Sequence, residues 1–331
     1  MLAITITDQA EAIQLVEKPI PSPAKGQVLI KLKAAALNRR DQWIRQGMYP
    51  NIQMDTTLGS DGSGIVESAG DESDHSLIGN EVIINPNVNW GNNPMVQSAD
   101  YHIVGMPTDG TLAEYIVVDK AQIITKPRHL NWEEAAALPL GGLTAYRACF
   151  HHGQVQEGKN VLISGVGGGV AQFAFQFALA VGANVYVTSG SPEKRNKCLE
   201  MGAESAFDYK SETWHKEALK LTGGFDTVID SASGDQINTF IKIMKPAGKI
   251  VFYGATNGMP KDIDMFRMFW NQITLQGSTM GNDEEFMAMA SFVEEHKIKP
   301  LIDSVFDLKD AVNAFDKIKS GVFGKVVFAN C

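Results

Sequence analysis

Residues 163–172 read ISGVGGGVAQ. Glycines this dense free the backbone to turn sharply. The run lies between an apolar stretch, NVLISG (160–165), and a long apolar helical pattern, VAQFAFQFALAVG (170–182). The alternation continues downstream. NVYVTSG (184–190) precedes SPEKRNKCLEMG (191–202), and SAFDY (205–209) precedes SETWHKEALKLTG (211–223). FDTVIDSA (225–232) precedes GDQINTFIKIM (234–244), and GKIVFYG (248–254) and ITLQGST (273–279) follow. Wholly apolar strands alternating with helices predict a parallel sheet covered on both faces. Six such strands suit the two halves of a doubly wound dinucleotide-binding fold.

Two fingerprints can be drawn in the glycine run. One begins Gly165-x-Gly167 and ends at Val170; the other uses Gly165, Gly168 and Ala171. The first glycine turns the chain out of the strand. The middle glycines, with Gly169 and Val170 behind them, bring backbone N–H groups to a pyrophosphate, and a small third residue lets the helix pack on the sheet. The helix N-terminus adds a favourable dipole. An NAD site places Asp or Glu at the end of the next strand, about 20 residues on. Here that end reads VTSGSPEKR, with Ser189 and then Lys194 and Arg195. This predicts a pocket for the 2′-phosphate of NADPH. The same residues also read as a capped helix start, with Ser191 at the N-cap and Pro192 first in the helix.

Residues 1–124 read as short strands broken by turns, with a long polar loop at 87–101. From 131 to 152 the pattern is helical, interrupted near Pro139 and the paired glycines. The 331 residues suit two domains. The net charge of −9 and the lack of a basic stripe argue against a nucleic-acid partner. Cys149, Cys198 and Cys331 lie far apart, with no CxxC spacing, so neither a zinc framework nor a disulfide framework is signalled. The acidic start is no signal peptide and no run approaches the ~18 apolar residues of a membrane span, so a cytoplasmic protein with no membrane partner is expected.

With LGSDGSGIVESAG, DGTLAEYIVV, AAALPLGGLTAY, the glycine loop and the closing SGVFGKVVF, the chain resembles the medium-chain dehydrogenase/reductase superfamily over essentially its full length. The resemblance implies an α/β protein: a Rossmann doubly wound parallel sheet inserted into a GroES-like β-rich catalytic domain, with the active site in the cleft between them. The expected division is 1–126 with 274–331 for the catalytic domain and 127–273 for the NADPH-binding domain. The zinc-dependent branch carries Cys and His where this chain has Asn38 and Ser60, and LPLGG offers no third ligand. No metal is therefore expected.

The pattern is similar to the zinc-free quinone oxidoreductase branch. That likeness puts Asn38 at the nicotinamide ribose, Thr144 at the nicotinamide, and Lys194 and Tyr209 at the 2′-phosphate. Further cofactor contacts are expected at Ser231, Gly254 and Ser278. Tyr49 matches a substrate-side tyrosine, while Trp43 stands where the branch has another. Tyr49 and Arg40 are candidates to meet the negative charge that develops on a reduced oxygen. The activity expected is NADPH-dependent reduction of quinones or α,β-unsaturated carbonyls by hydride transfer. A zinc-free alcohol or aldehyde oxidoreductase and a non-catalytic NADPH-binding regulatory protein remain the alternatives. The apolar edge strand ITLQGST, and the family's habit of pairing such edges, predict a homodimer.

Overall fold

The computed structural model describes residues 1–7 and 13–329; Cys331 lies outside them, as does Asn330, the last residue of the run GKVVFAN (324–330), which the sequence predicts as a closing strand. The chain divides into two compact units, residues 1–141 with 282 onward, and residues 142–281.

The first unit is built on a seven-stranded sheet. Its spine runs Ile302–Phe306, Lys325–Ala329, Gln27–Ala36, Asp61–Ala69, Glu81–Ile84 and Ile123–Thr125, with Tyr115–Asp119 pairing to Gln27–Ala36. All pairs are antiparallel except Ile302–Phe306 with Lys325–Ala329. The C-terminal tail thus returns to the N-terminal half, with Val327 opposite Ala36. The strand Gln27–Ala36 reads QVLIKLKAAA; Val28, Leu29 and Ile30 are buried, and only its middle alternates as a one-sided strand should, Leu32 buried between Lys31 and Lys33. Its last three alanines are all buried.

Those alanines explain where the unit ends. Ala34 and Ala36 pack with Val327 against Ala136 and Ala137 of the helix Trp132–Ala137. Small side chains on both surfaces let the helix backbone lie close to the strand. The helix belongs to the first unit for that reason, and the boundary falls after Gly141 rather than at 126/127. The second boundary also differs from expectation. Thr274–Gly277 pairs in parallel with Met244–Phe252, so it is the sixth strand of the other unit, and the break falls after Gly281 rather than at 273/274.

The second unit holds a six-stranded parallel sheet in the order Ser205–Phe207, Asn184–Thr188, Asn160–Ile163, Phe225–Asp230, Met244–Phe252, Thr274–Gly277. In chain order this is 3-2-1-4-5-6, the doubly wound arrangement. Its direction of winding reverses between Asn160–Ile163 and Phe225–Asp230, where Ile163 lies opposite Ile229. One face is covered by a cluster of Leu162, Val228, Ile250, Phe225, Phe240 and Trp214. The helical stretch expected over 131–152 is three pieces: Trp132–Ala137, Pro139–Tyr146 and a wider turn over Arg147–His152. Among the described residues no helix is long and apolar enough to cross a membrane.

Candidate active site

In the first unit, the strand Gln27–Ala36 ends and the helix Arg39–Arg45 begins at Asn38. The Asn38 N–H donates to Asp41 Oδ2 at 2.7 Å, so Asp41 closes the helix start from its third position. The Asn38 side chain is buried and held at both ends. Its Nδ2 donates to Asp61 Oδ2 at 2.8 Å, and its Oδ1 accepts from Lys325 Nζ at 2.6 Å. Lys325 Nζ also donates to Asp61 Oδ2 at 2.8 Å, and Asp61 Oδ1 accepts from the Leu140 N–H at 2.8 Å. The sheet positions the set: Asp61 lies opposite Ala36, and Lys325 precedes Val327 on the other side of the same strand.

Arg40 extends from the first turn of that helix. Its Nη1 donates to Ser60 Oγ at 2.5 Å and to the Val104 carbonyl at 2.9 Å. Nε donates to the Tyr49 hydroxyl at 3.3 Å, and the guanidinium lies 4.8 Å from the centre of the Tyr49 ring. The buried guanidinium is thus held by neutral groups, with no carboxylate directly on it among the described residues. Burial raises the Asp41 carboxyl above its ordinary range, against the opposing pull of Arg40 and the Asn38 N–H. Nearby, the Tyr101 hydroxyl donates to Asn87 Oδ1 at 2.8 Å, and burial pushes its titration far upward. Trp43 and Tyr49 are both half-buried.

The donor set at Asn38 and Ser60 is not one that holds zinc. Structural and catalytic zinc takes thiolate, imidazole or carboxylate ligands gathered around one point. Here an amide and a hydroxyl stand in two of the places, and the adjacent carboxylate of Asp61 is already occupied by an ammonium, an amide and a backbone N–H. Among the described residues no group of three or more His, Cys, Asp and Glu is placed to hold a metal.

In the second unit, the chain leaves Asn160–Ile163 through Ser164 and turns at Gly165, whose φ is +58°. The Gly165 N–H donates to Thr188 Oγ1 at 3.2 Å, and the Val166 N–H to the Thr188 carbonyl at 3.1 Å. Gly168 is the N-cap of the helix Gly169–Ala180, and a Cβ built on it would meet nothing within 4 Å. Ala171, one position into that helix's first turn beyond Val170, is fully buried. The observed loop therefore follows the Gly165, Gly168, Ala171 register. Gly168 leaves open space before the free N–H groups of a 12-residue helix. These features fit the phosphates of a dinucleotide.

The neighbouring strand ends are close-packed around this loop. A Cβ on Gly165 would stand 3.3 Å from Ser231 Oγ, and one on Gly254 only 2.5 Å from the Ser231 carbonyl. The Ser278 N–H donates to the Phe252 carbonyl at 2.9 Å, and its buried Oγ has no partner among the described residues. Thr144 Oγ1 contacts Met280 Sδ at 3.6 Å. Behind the switch point, Asp230 accepts from Ser164 Oγ and from the Ala232 and Ser233 N–H groups, and its burial raises the carboxyl above the usual range.

The strand Asn184–Thr188 ends in Thr188 and is followed by Ser189 and Gly190, with no acid among them. Ser189 is buried, and its Oγ accepts from the Ser191 N–H at 3.2 Å. Ser191 caps the helix Pro192–Glu200, which carries Lys194 in its first turn. A Cβ on Gly190 would lie 2.6 Å from Lys210 Cε and 3.0 Å from the Tyr209 hydroxyl. Tyr209 and Lys210 therefore stand directly over Gly190. Arg195 is drawn back to the Ser189 carbonyl, 2.6 Å, and to Asp208, 3.3 Å. Glu193 pairs with Lys197 at 3.2 Å on the outer side of the helix.

The structure thus brings Asn38 together with Asp61 and Lys325, and Arg40 together with Tyr49. It groups Ser189 and Tyr209 around Gly190, and Gly165, Ser231 and Gly254 around the switch point. Lys210, Asp61 and Lys325 carry no role in the sequence reading. A signal for Lys325 existed: GKVVF places one cation at the head of an apolar strand.

A parallel sheet wound 3-2-1-4-5-6 with a glycine loop at its first strand defines a nucleotide-binding unit, and the companion β-rich sheet is GroES-like. Comparison with known proteins agrees. Residues 24–128 match the family described as alcohol dehydrogenase GroES-like domain, and residues 169–295 match zinc-binding dehydrogenase. The chain is 37% identical to a zinc-type alcohol dehydrogenase-like protein, YogA, of Leptosphaeria maculans, over 95% of this chain and 93% of that protein. It is 28% identical to a quinone oxidoreductase of Mus musculus, over 93% and 90%. A crystal structure of an NAD-dependent alcohol dehydrogenase superposes with a TM-score of 0.93 at 34% identity, covering 100% of both chains. The chain belongs to the medium-chain dehydrogenase/reductase superfamily, a family of oxidoreductases.

Proposed function

We propose that the protein is an NADPH-dependent, zinc-independent oxidoreductase that reduces quinones or α,β-unsaturated carbonyls. The observation that carries the cofactor choice is the end of Asn184–Thr188. Tyr209 and Lys210 stand over Gly190 beside Ser189, and Lys194 lies in the first turn of the helix that follows, while Glu193 pairs with Lys197 and Asp208 with Arg195. A 2′-phosphate carries nearly two negative charges, and this group of donors and cations suits it. When bound, the nicotinamide supplies the hydride. Gly165, Gly168, Gly169 and Val170 hold the phosphates, and Ser231, Gly254, Ser278, Thr144 and Asn38 complete the cofactor contacts.

Reduction leaves negative charge on the substrate oxygen. Arg40 and Tyr49 meet it. The Tyr49 oxygen accepts from Arg40 Nε, which leaves its own proton to donate. The guanidinium behind it is a permanent cation whose direct hydrogen-bond partners are neutral, which favours an anionic oxygen nearby. No zinc is needed for this polarisation, and the donor set at Asn38 and Ser60 supports a zinc-independent reaction. The similarity to a quinone oxidoreductase supports the substrate class.

The protein is also proposed to be a homodimer. Thr274–Gly277 is the open edge of its sheet, and Met265, Phe266, Phe269 and Trp270 beside it are each more than 60% exposed. An exposed apolar edge of this kind is normally covered.

Dissociation constants for NADPH and NADH, measured on wild type and Lys194→Ala, test the cofactor choice. A charge-assisted hydrogen bond contributes about 1.5–3 kcal/mol. Lys194→Ala should therefore weaken NADPH roughly 10- to 100-fold and leave NADH nearly unchanged. Equal wild-type affinities would overturn the assignment. NADPH oxidation across quinones and enones tests the reaction, and binding without turnover would favour a regulatory protein. Zinc-free preparations should be fully active; activity restored by zinc alone would count against the metal reading. Light scattering at micromolar concentration tests the dimer.

A further inference from the structure

We propose that Lys325, together with Asp61, is a positioning residue that fixes the side-chain amide of Asn38 in one orientation for the cofactor; this rests on the nicotinamide-cofactor reading above. A primary amide has two ends of nearly equal shape and opposite hydrogen-bonding character. Rotation by half a turn exchanges them, so only the surroundings decide which end faces which way.

The surroundings of Asn38 decide it fully. The ammonium of Lys325 can only donate, and it takes Oδ1 at 2.6 Å. The carboxylate of Asp61 can only accept, and it takes Nδ2 at 2.8 Å. In the flipped amide a donor would face the ammonium and an acceptor the carboxylate, and both contacts would become repulsive. The side chains of Lys325 and Asp61 are 3% and 0% exposed, so water cannot relieve such a mismatch. Lys325 and Asp61 also bind each other at 2.8 Å, so the lock adds no net charge. Asp61 is held from its other oxygen by the Leu140 N–H, and the two residues stand on strands flanking Gln27–Ala36.

The consequence reaches the ligand side. The second Nδ2 hydrogen and the remaining Oδ1 lone pair of Asn38 have one fixed direction each. The pull of the ammonium on Oδ1 also makes the free N–H a stronger donor, as linked hydrogen bonds polarise one another. Lys325 therefore touches no substrate in this proposal; it acts through Asn38.

The test is a coupling cycle on the full-length protein. The variants are Asn38→Ala, the double Asp61→Asn with Lys325→Met, and the triple. For each, the thermal midpoint, the fluorescence-titrated dissociation constant of whichever of NADPH and NADH the wild type binds more tightly, and kcat and KM are measured. The double variant leaves no buried charge unpaired, so its thermal midpoint should stay near the wild type. Its cofactor affinity should fall roughly 3- to 10-fold, the range of one neutral hydrogen bond. The triple variant should bind no more weakly than Asn38→Ala alone.

Wild-type affinity in the double variant would overturn the proposal. So would a triple variant whose loss is the product of the separate losses. If the double does not fold, Lys325→Arg in the wild-type and Asn38→Ala backgrounds gives the same cycle, with the effect again confined to the background that has the amide. A wild-type protein that binds neither cofactor removes the reading beneath the proposal as well. Binding and turnover by the wild type with uncoupled variants removes the proposal alone.

Discussion

Two regions with related tasks are built from different materials. Around Asn38, side chains from residues 38, 61 and 325 bury a full positive and a full negative charge and leave no polar atom of the three short of a partner. Around Gly165 almost nothing is charged. The loop is fixed by backbone N–H groups on Thr188, and Gly168 opens onto unfilled space. The first region is finished before any ligand arrives. The second is shaped by what it omits. The difference teaches where each will tolerate change: the buried cluster fails when a partner is removed, and the loop fails when an atom is added.

The sharpest way to break the comparison is Lys325→Met alone. The carboxylate of Asp61 would then be buried without its cation. Breaking a buried pair by removing one partner costs about 3–5 kcal/mol. Urea denaturation should show that loss in the midpoint, and restoring neutrality with Asp61→Asn in the same chain should recover most of it. A single variant as stable as wild type would mean that water or another group reaches Asp61, and the cluster would no longer count as closed.

The equivalent insult in the loop is smaller. Gly165→Ala puts a Cβ on a residue with φ of +58°, 3.3 Å from Ser231 Oγ. The left-handed conformation costs an L-residue about 1–2 kcal/mol. Ser231 must also shift by a few tenths of an ångström. Stability should fall by that amount, and cofactor affinity should fall with it, because the turn aims the N–H groups that follow.

The two regions were not equally legible in the sequence. The loop is local: strand, glycines and helix are consecutive, so ISGVGGGVAQ predicts its own shape, and the buried Ala171 selects the register the letters alone left open. The same holds for the parallel sheet, whose apolar strands alternate with helices in order. The cluster at Asn38 joins residues separated in sequence by 23 and 264 positions, and no local pattern announces such a meeting. Lys210 was hidden for another reason. It is placed by the turn that puts Tyr209 over Gly190, and its Cε lies 2.6 Å from where a Gly190 Cβ would be. The first unit boundary differs because alanine-to-alanine packing decides which sheet the helix Trp132–Ala137 joins, and the second because Thr274–Gly277 pairs with Met244–Phe252.

A third variant separates stability from binding within the loop. Gly168 is extended, at φ of −74°, and caps its helix with no side chain. Serine is a somewhat better N-cap than glycine, by a few tenths of a kcal/mol. Gly168→Ser should therefore leave stability unchanged or slightly raised while weakening NADPH, since the added atoms enter open space before the helix. Parallel losses of stability and affinity would show that the space is needed by the fold itself.

The smallest effect concerns Glu193, an acid on the first turn of the helix that follows the expected 2′-phosphate site. If its carboxylate faced that phosphate, removing its charge would tighten NADPH and leave NADH alone. Its side chain is 78% exposed and pairs with Lys197 at 3.2 Å, one turn along the helix. Such i,i+4 pairs contribute about 0.3–0.5 kcal/mol and are screened by salt. Glu193→Gln should thus cost at most about 0.5 kcal/mol of stability at low ionic strength, less in high salt. The ratio of NADPH to NADH dissociation constants should stay within about twofold of wild type, because a solvated charge turned toward its own lysine contributes little to a site behind it. A tenfold gain in NADPH affinity would place the carboxylate in the pocket, and the preference for NADPH would then rest on Lys194 and Lys210 overcoming it rather than on its distance.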